Sequence, residues 1–249
     1  MSNIALQREF IMAKEHKTSR IKLEIIQAAT ELFLENGFHK TTSKMVCERA
    51  AVGTGNLTFY FPTKEHILAV LVNMMCDFQW QIMEENTDEG KSSLLSYCLE
   101  LTAMAAISEA SPQMSELYSA AYSHPLTLDI IRTNDIKKIK QVFGEYCKDW
   151  TEEKYLEAET IVSGIEFATL MRTEHSAPLS IKIEGALNSI MLLFGIPAET
   201  RQMKIAKVLA MDYRAIGKNI CEGFKEYAIE TSEHALEEYI NASKLKEDR

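Results

Sequence analysis

Glycine and proline are scarce in this chain, 10 and 5 among 249 residues. So few backbone breakers leave no room for the dense turns of a β-sandwich or barrel, and no segment sustains a period-two alternation of apolar and polar residues. The five cysteines, Cys47, Cys76, Cys98, Cys147 and Cys221, are odd in number, stand in helical stretches and show no C-x-x-C spacing. They argue against a disulfide framework and read as reduced thiols of a cytoplasmic protein. No run approaches the roughly 18 apolar residues of a membrane span. Arg8, Glu9, Lys14, Glu15 and Lys17 leave no apolar stretch for a signal peptide. The motifs H-E-x-x-H, G-x-S-x-G, G-x-G-x-x-G, the P-loop and the Glu-x-x-His pair of a di-iron bundle are all missing. His16, His39, His66, His124, His175 and His234 are scattered. No catalytic residue, metal or cofactor is therefore expected, and a helical enzyme is the weaker reading.

What remains is rich in helix formers and 46% hydrophobic, enough for a substantial all-α core. The net charge is -9, but it is unevenly spread. Residues 1–70 hold nine Lys or Arg against seven Asp or Glu, and residues 71–249 hold eighteen against twenty-nine. The small basic excess falls at the N-terminal end, and an acidic remainder would repel nucleic acid and confine contact to that end.

Within that end, TTSKMVCERAAVGTGNLTFYFPTK (41–64) has the most informative spacing. Thr42 to Ala50 reads as a short helix with Met45, Val46 and Ala50 on one side, capped by Thr42 or Ser43. Ala51-Val52-Gly53 breaks the pattern. A second short helix from Thr54 to Phe61 turns Leu57, Tyr60 and Phe61 inward, and Pro62 ends it. Two such helices at a steep angle make a helix-turn-helix, whose second helix enters the DNA major groove. Thr54, Asn56 and Thr58 are small polar groups suited to base edges or phosphates, and Asn56 can pair bidentately with adenine. Gly55 lets the backbone approach the duplex closely. The candidate DNA contacts are Thr42, Ser43, Lys44, Thr54, Gly55, Asn56, Thr58, Phe59, Tyr60 and Lys64.

The wider segment, about residues 18 to 70, resembles the DNA-binding domain of the TetR/AcrR family of bacterial transcriptional regulators. The resemblance rests on IIQAATELFLENGFHKTT, on the two-helix motif, and on Leu57, Tyr60, Phe61, Pro62, Lys64, Glu65, Ile67 and Leu68 as L-x-x-Y-F-P-x-K-E-x-I-L. The chain departs from the family pattern at Ala51, where Gly is usual, at Gly53, where Ser is usual, and at Thr54 and Thr58, where a basic residue and a Tyr are frequent. Ala51 is expected to take a left-handed conformation. The resemblance implies a homodimer that binds a partly palindromic operator, most often as a repressor released by a small molecule.

On this basis residues 1–17 form a polar arm, 18–66 the helix-turn-helix domain and 67–249 a helical ligand-binding and dimerisation domain. Helix one is expected over Thr18–Asn36, stopped by Gly37, and a long linking helix over Thr63–Glu85. TDEGKSS (87–93) reads as a loop. Further helices are expected at 92–110, 112–123, 125–148, 152–176, 180–195 and 199–228, with a last segment from Ser232 to Leu245. Met and aromatic residues suited to an apolar or aromatic ligand suggest a pocket of Trp80, Met83, Met104, Tyr118, Tyr122, Phe143, Phe167, Met171, Arg172 and His175. Glu166, Arg172 and His175 are candidates for orienting a polar group of the ligand. The resemblance assigns the dimer interface to the last two long helices, through Leu187, Ile190, Met191, Phe194, Val208, Leu209, Ile216 and Ile220. The remaining alternative is an all-α interaction module whose helix-turn-helix no longer binds DNA.

Overall fold

The computed structural model describes the backbone of residues 3–85 and 93–230, with side chains described at 20–82, 93–224 and 226–228. Among these residues there are eleven α-helices, one short 3-10 turn and no strand. They are α1 (Asn3–Asn36), α2 (Ser43–Arg49), α3 (Thr54–Tyr60), α4 (Lys64–Glu85), α5 (Leu94–Ala110), α6 (Pro112–Ser123), α7 (Pro125–Phe143), α8 (Glu152–Leu170), α9 (Leu179–Leu193), α10 (Ala198–Ala210) and α11 (Tyr213–Glu230). The expected segment from Ser232 to Leu245 lies outside the described residues, as does most of the expected loop at 87–93. The arm expected at 1–17 is continuous with α1 from Asn3 onward.

Helix starts follow their capping residues. Thr42, Ser93, Ser111 and Thr151 each accept a hydrogen bond from a backbone N–H three residues on. Pro112 and Pro125 open α6 and α7, where a missing N–H costs nothing. Three expected helices end early. The segment read as 125–148 becomes 3-10 at Gly144–Tyr146. The segment read as 152–176 stops at Leu170, after which the Thr173 N–H donates to Ser176 Oγ at 2.8 Å and closes a turn before Pro178. The single helix read over 199–228 is two, because Met211 is extended and Asp212 Oδ1 caps a new helix at the Ala215 N–H, 3.1 Å away.

One contiguous core runs from Ile25 to Ala228. At its centre lies α5, buried from Leu94 to Ser108 except at half-buried Met104 and packed against α4, α6, α8, α9, α10 and α11. Gly217 lets α11 lie close on it, since a Cβ there would come within 3.2 Å of the Ala103 carbonyl oxygen. The helix-turn-helix caps one end of this body, with α1 packing on α2, α3, α4, α6 and α11.

The turn between α2 and α3 is closed by Val52 N–H donating to Cys47 O at 3.0 Å, with Ala51 at φ 52°. A non-glycine residue there is strained by roughly 1 to 2 kcal/mol. Ala51→Gly is expected to raise stability by about 0.5 to 1 kcal/mol, after allowing for the looser unfolded chain. The check is the midpoint of thermal unfolding, and a lower midpoint would show that the Ala51 methyl makes packing worth more than the strain.

Candidate functional site

The helix-turn-helix is anchored from beneath. Leu57 and Phe61 are buried in the core formed with Val46 and Cys47. Thr41, also buried, donates to Gly37 O at 2.8 Å and Leu32 O at 3.1 Å and so ties the end of α1 to the start of α2. Gly37 holds φ 88°, a conformation that L residues rarely adopt. A Cβ on it would also lie 2.6 Å from Glu116 Oε2 of α6. The other oxygen of Glu116 accepts from the His39 N–H. On the opposite side of the same turn, Lys64 Nζ donates to Phe38 O at 2.8 Å and Thr41 O at 3.2 Å, and sits 4.3 Å from the centre of the Phe38 ring. Thus α4 and α6 grip the Gly37–Thr41 turn between them.

The outer face of α3 is open. Thr54, Gly55, Asn56, Thr58 and Phe59 are exposed, Phe59 to 78%. The Thr58 hydroxyl donates to Thr54 O at 3.0 Å, so it presents its methyl and oxygen lone pairs outward. Tyr60 is half-buried, edge-on to Phe59, with Lys22 Nζ 5.3 Å from its ring centre. Ser43 and Lys44 are exposed beside α3 at the start of α2, whereas the Thr42 hydroxyl is engaged as the cap of α2. One expectation about charge changes. Lys64 was expected to reach outward to phosphate, but two of its three N–H groups are spent on backbone carbonyls. Arg49 is held by Glu31 at 2.8 Å and Glu35 at 3.2 Å.

A cavity of about 40 Å³ lies between α4, α5, α6, α7 and α8. Val72, Met75, Leu101, Met104 and Ile131 give it apolar walls, and Tyr97, Tyr118 and Tyr122 give it rings with polar ends. Its floor is charged. Lys138 Nζ donates to Glu100 at 2.7 Å and to Asp135 at 3.3 Å, and lies 5.4 Å from the Trp80 ring centre. Burial alone would push the Lys138 ammonium towards its neutral form, but Glu100 and Asp135 overcome this and hold it charged. Burial, reinforced by Asp135, pushes the Glu166 carboxyl up to about 8. Glu166 accepts from Tyr97 Oη on one oxygen and Tyr122 Oη on the other, each at 3.1 Å.

Of the ten residues suggested for a pocket, Met104, Tyr118 and Tyr122 line this cavity. Met83 has no described side chain. Trp80 lies beneath Lys138, and Phe143 is core, stacked on Phe194 at 4.1 Å. Phe167 packs behind Tyr122 at 6.0 Å, and Met171 is the residue that ends α8. Arg172 and His175 are exposed in the segment after α8, away from the cavity. Sequence reasoning missed Gln79, Glu100, Asp135 and Lys138.

Residues 25–71 match the family model described as "Bacterial regulatory proteins, tetR family". They form a tetR-family helix-turn-helix domain. The "HTH-type transcriptional regulator RutR" of Escherichia coli K12 is 25% identical over 174 residues, covering 69% of this chain and 81% of that protein. The "HTH-type transcriptional regulator UidR" of the same strain is 35% identical over 51 residues, 20% of this chain and 26% of that protein. No helix among the regulator's described residues is long and apolar enough to cross a membrane.

The expected dimer interface needs correction. Leu187, Ile190, Met191, Phe194, Val208 and Ile220 are buried inside the single chain, where they complete the core against α5. Ile216 and Leu209 are half-buried. The other side of α9 carries exposed apolar residues. Ile181 and Leu192 on α9 are 58% and 57% exposed and share a face with Gly185 and Asn188, and Met203 on α10 is also exposed. A groove lined by Ile181, Gly185, Asn188, Ile205 and Leu209 runs between the two helices.

Proposed function

We propose that this regulator binds a partly palindromic operator as a homodimer, most simply as a repressor, and leaves it when a small molecule enters the α4–α8 cavity. The observation that carries the reading is the uncovered α3 face, Thr54 to Phe59, mounted on a buried Leu57–Phe61 anchor. The exposed Ile181–Leu192 side of α9, with Met203, supplies apolar surface for a second copy, and a two-fold DNA site calls for a two-fold protein.

The coupling runs through the gripped turn. One side of α4 lines the cavity with Val72, Met75 and Gln79 while Lys64, at its first turn, holds Phe38 and Thr41. Likewise α6 gives the cavity Tyr118 and Tyr122 while Glu116 holds His39. A ligand that fits only a conformer with α4 and α6 displaced would shift the population away from the operator-competent form, typically by 1 to 3 kcal/mol.

Titrating the protein against its own upstream DNA at several salt concentrations tests the reading, and indifference to duplex DNA even at low salt would end it. On a responsive operator, Asn56→Ala is expected to cost roughly 1 to 3 kcal/mol and relax preference at one base position. An unchanged affinity and footprint would remove Asn56 from the readers. Glu116→Ala is expected to weaken operator binding about tenfold by releasing the Gly37–Thr41 turn, since a hydrogen bond to a charged group contributes roughly 1.5 to 3 kcal/mol. Fluorescence anisotropy gives the affinity and hydrogen exchange at the His39 amide gives the release. If neither changes, Glu116 is no strut.

A further inference from the structure

We propose that the ligand of the α4–α8 cavity is a small organic monocation, an amine or quaternary ammonium with an aromatic or branched apolar body. This deepens the effector reading above and rests on it.

Charge counting is the first reason. The cavity holds three carboxyl groups, Glu100, Asp135 and Glu166, against the single ammonium of Lys138. That ammonium is already paired with both Glu100 and Asp135 and covers the Trp80 ring, so it offers an anion no uncompensated positive charge. An anionic ligand would enter a pocket with a surplus of its own sign and be desolvated there without a partner.

The second reason is a conflict at Glu166. One phenol donor on each oxygen is the hydrogen-bond pattern of an ionised carboxylate, and Tyr97 and Tyr122 supply it. Burial favours the neutral acid, and no ion pair to Glu166 is found among the described residues. The groups facing it are the Tyr97 phenol and Glu100 carboxyl from α5, the Tyr122 phenol from α6, and Asp135 with Lys138 from α7. A cation placed against Glu166 resolves the conflict. It takes the charge that the two phenols are arranged to support and drives off the proton that burial retains. The rings of Tyr97, Tyr118 and Tyr122 add faces on which a cation is attracted to the ring quadrupole.

The test compares three probes of one shape and different charge: 2-phenylethylamine, 2-phenylethanol and phenylacetate. Each is titrated into the full-length protein by calorimetry at pH 7 in two buffers of different ionisation enthalpy. The amine is expected to bind at least tenfold more tightly than the alcohol, with phenylacetate weakest, and to release close to one proton per site. In Glu166→Gln the amine's advantage is expected to fall below threefold and the proton release to vanish. If the alcohol or the acid binds as tightly as the amine, the cation assignment is overturned while the cavity remains an effector site. If no probe binds at millimolar concentration, the assignment is equally overturned, and operator binding by the same preparation then decides the regulator reading separately. The wild-type ranking settles the charge class even if the variant folds poorly.

Discussion

Leu187→Asp is expected to leave no folded protein, whereas Leu192→Asp is expected to give a folded monomer. The two residues are five apart on α9 and chemically identical, yet Leu187 is 0% exposed and Leu192 is 57% exposed. An unpaired carboxylate at 187 would sit in the core against α5 with no cation to meet it, and the desolvation cost of several kcal/mol rivals a typical domain stability of about 5 to 15 kcal/mol. At 192 the same carboxylate stays in water in the single chain and is buried only when a second chain covers that face. Circular dichroism reports the fold and sedimentation the association state. A folded monomeric Leu187→Asp would return Leu187 to the interface, and a dimeric Leu192→Asp would move the interface off this side of α9.

The second large effect concerns pH. Glu166 holds its proton up to about pH 8 in the folded chain against an ordinary 4.5. Above 4.5 the unfolded chain gives up that proton while the folded chain keeps it, so stability falls as pH rises from about 4.5 to 8. Glu159, buried beside Arg132 and raised to about 7 chiefly by burial, acts in the same direction over a narrower window. Glu166→Gln removes the larger contribution and keeps an acceptor and a donor for Tyr97 and Tyr122. The variant is expected to match the wild type near pH 5 and to exceed it by roughly 2 to 4 kcal/mol at pH 8. Denaturant unfolding across that range is the measurement, and parallel profiles would show that Glu166 is already ionised in the empty cavity.

The helix-turn-helix was legible in the sequence because its caps, anchors and turns are local, although the Glu116 contact that holds its first turn is not. Thr42 caps, Leu57 and Phe61 are four apart, and Gly37 and Ala51 stand at the two left-handed turns. The charged floor of the cavity was not legible, because Glu100, Asp135 and Lys138 lie on two helices separated by α6, and each charge taken alone reads as a solvated face. Glu166 drew notice only because it interrupts an apolar stretch of α8. On α9 the apolar residues Ile183, Leu187, Ile190 and Met191 form a stripe whose cover the sequence does not name, and that cover is α5 of the same chain. The α10–α11 break depended on one capping aspartate, Asp212, inside a pattern that otherwise continues.

With Arg49 tied to two glutamates and Lys64 turned into its own backbone, the described part of the helix-turn-helix has few cations to trade for the condensed counterions of a duplex, Lys40 and Lys44 being the remaining exposed ones from Gly37 to Lys64. Its grip on arbitrary genomic sequence should therefore be feeble and its dependence on ionic strength shallow. Such a protein would spend little time sliding along bulk chromosome, reaching its few cognate addresses through repeated free excursions in solution instead.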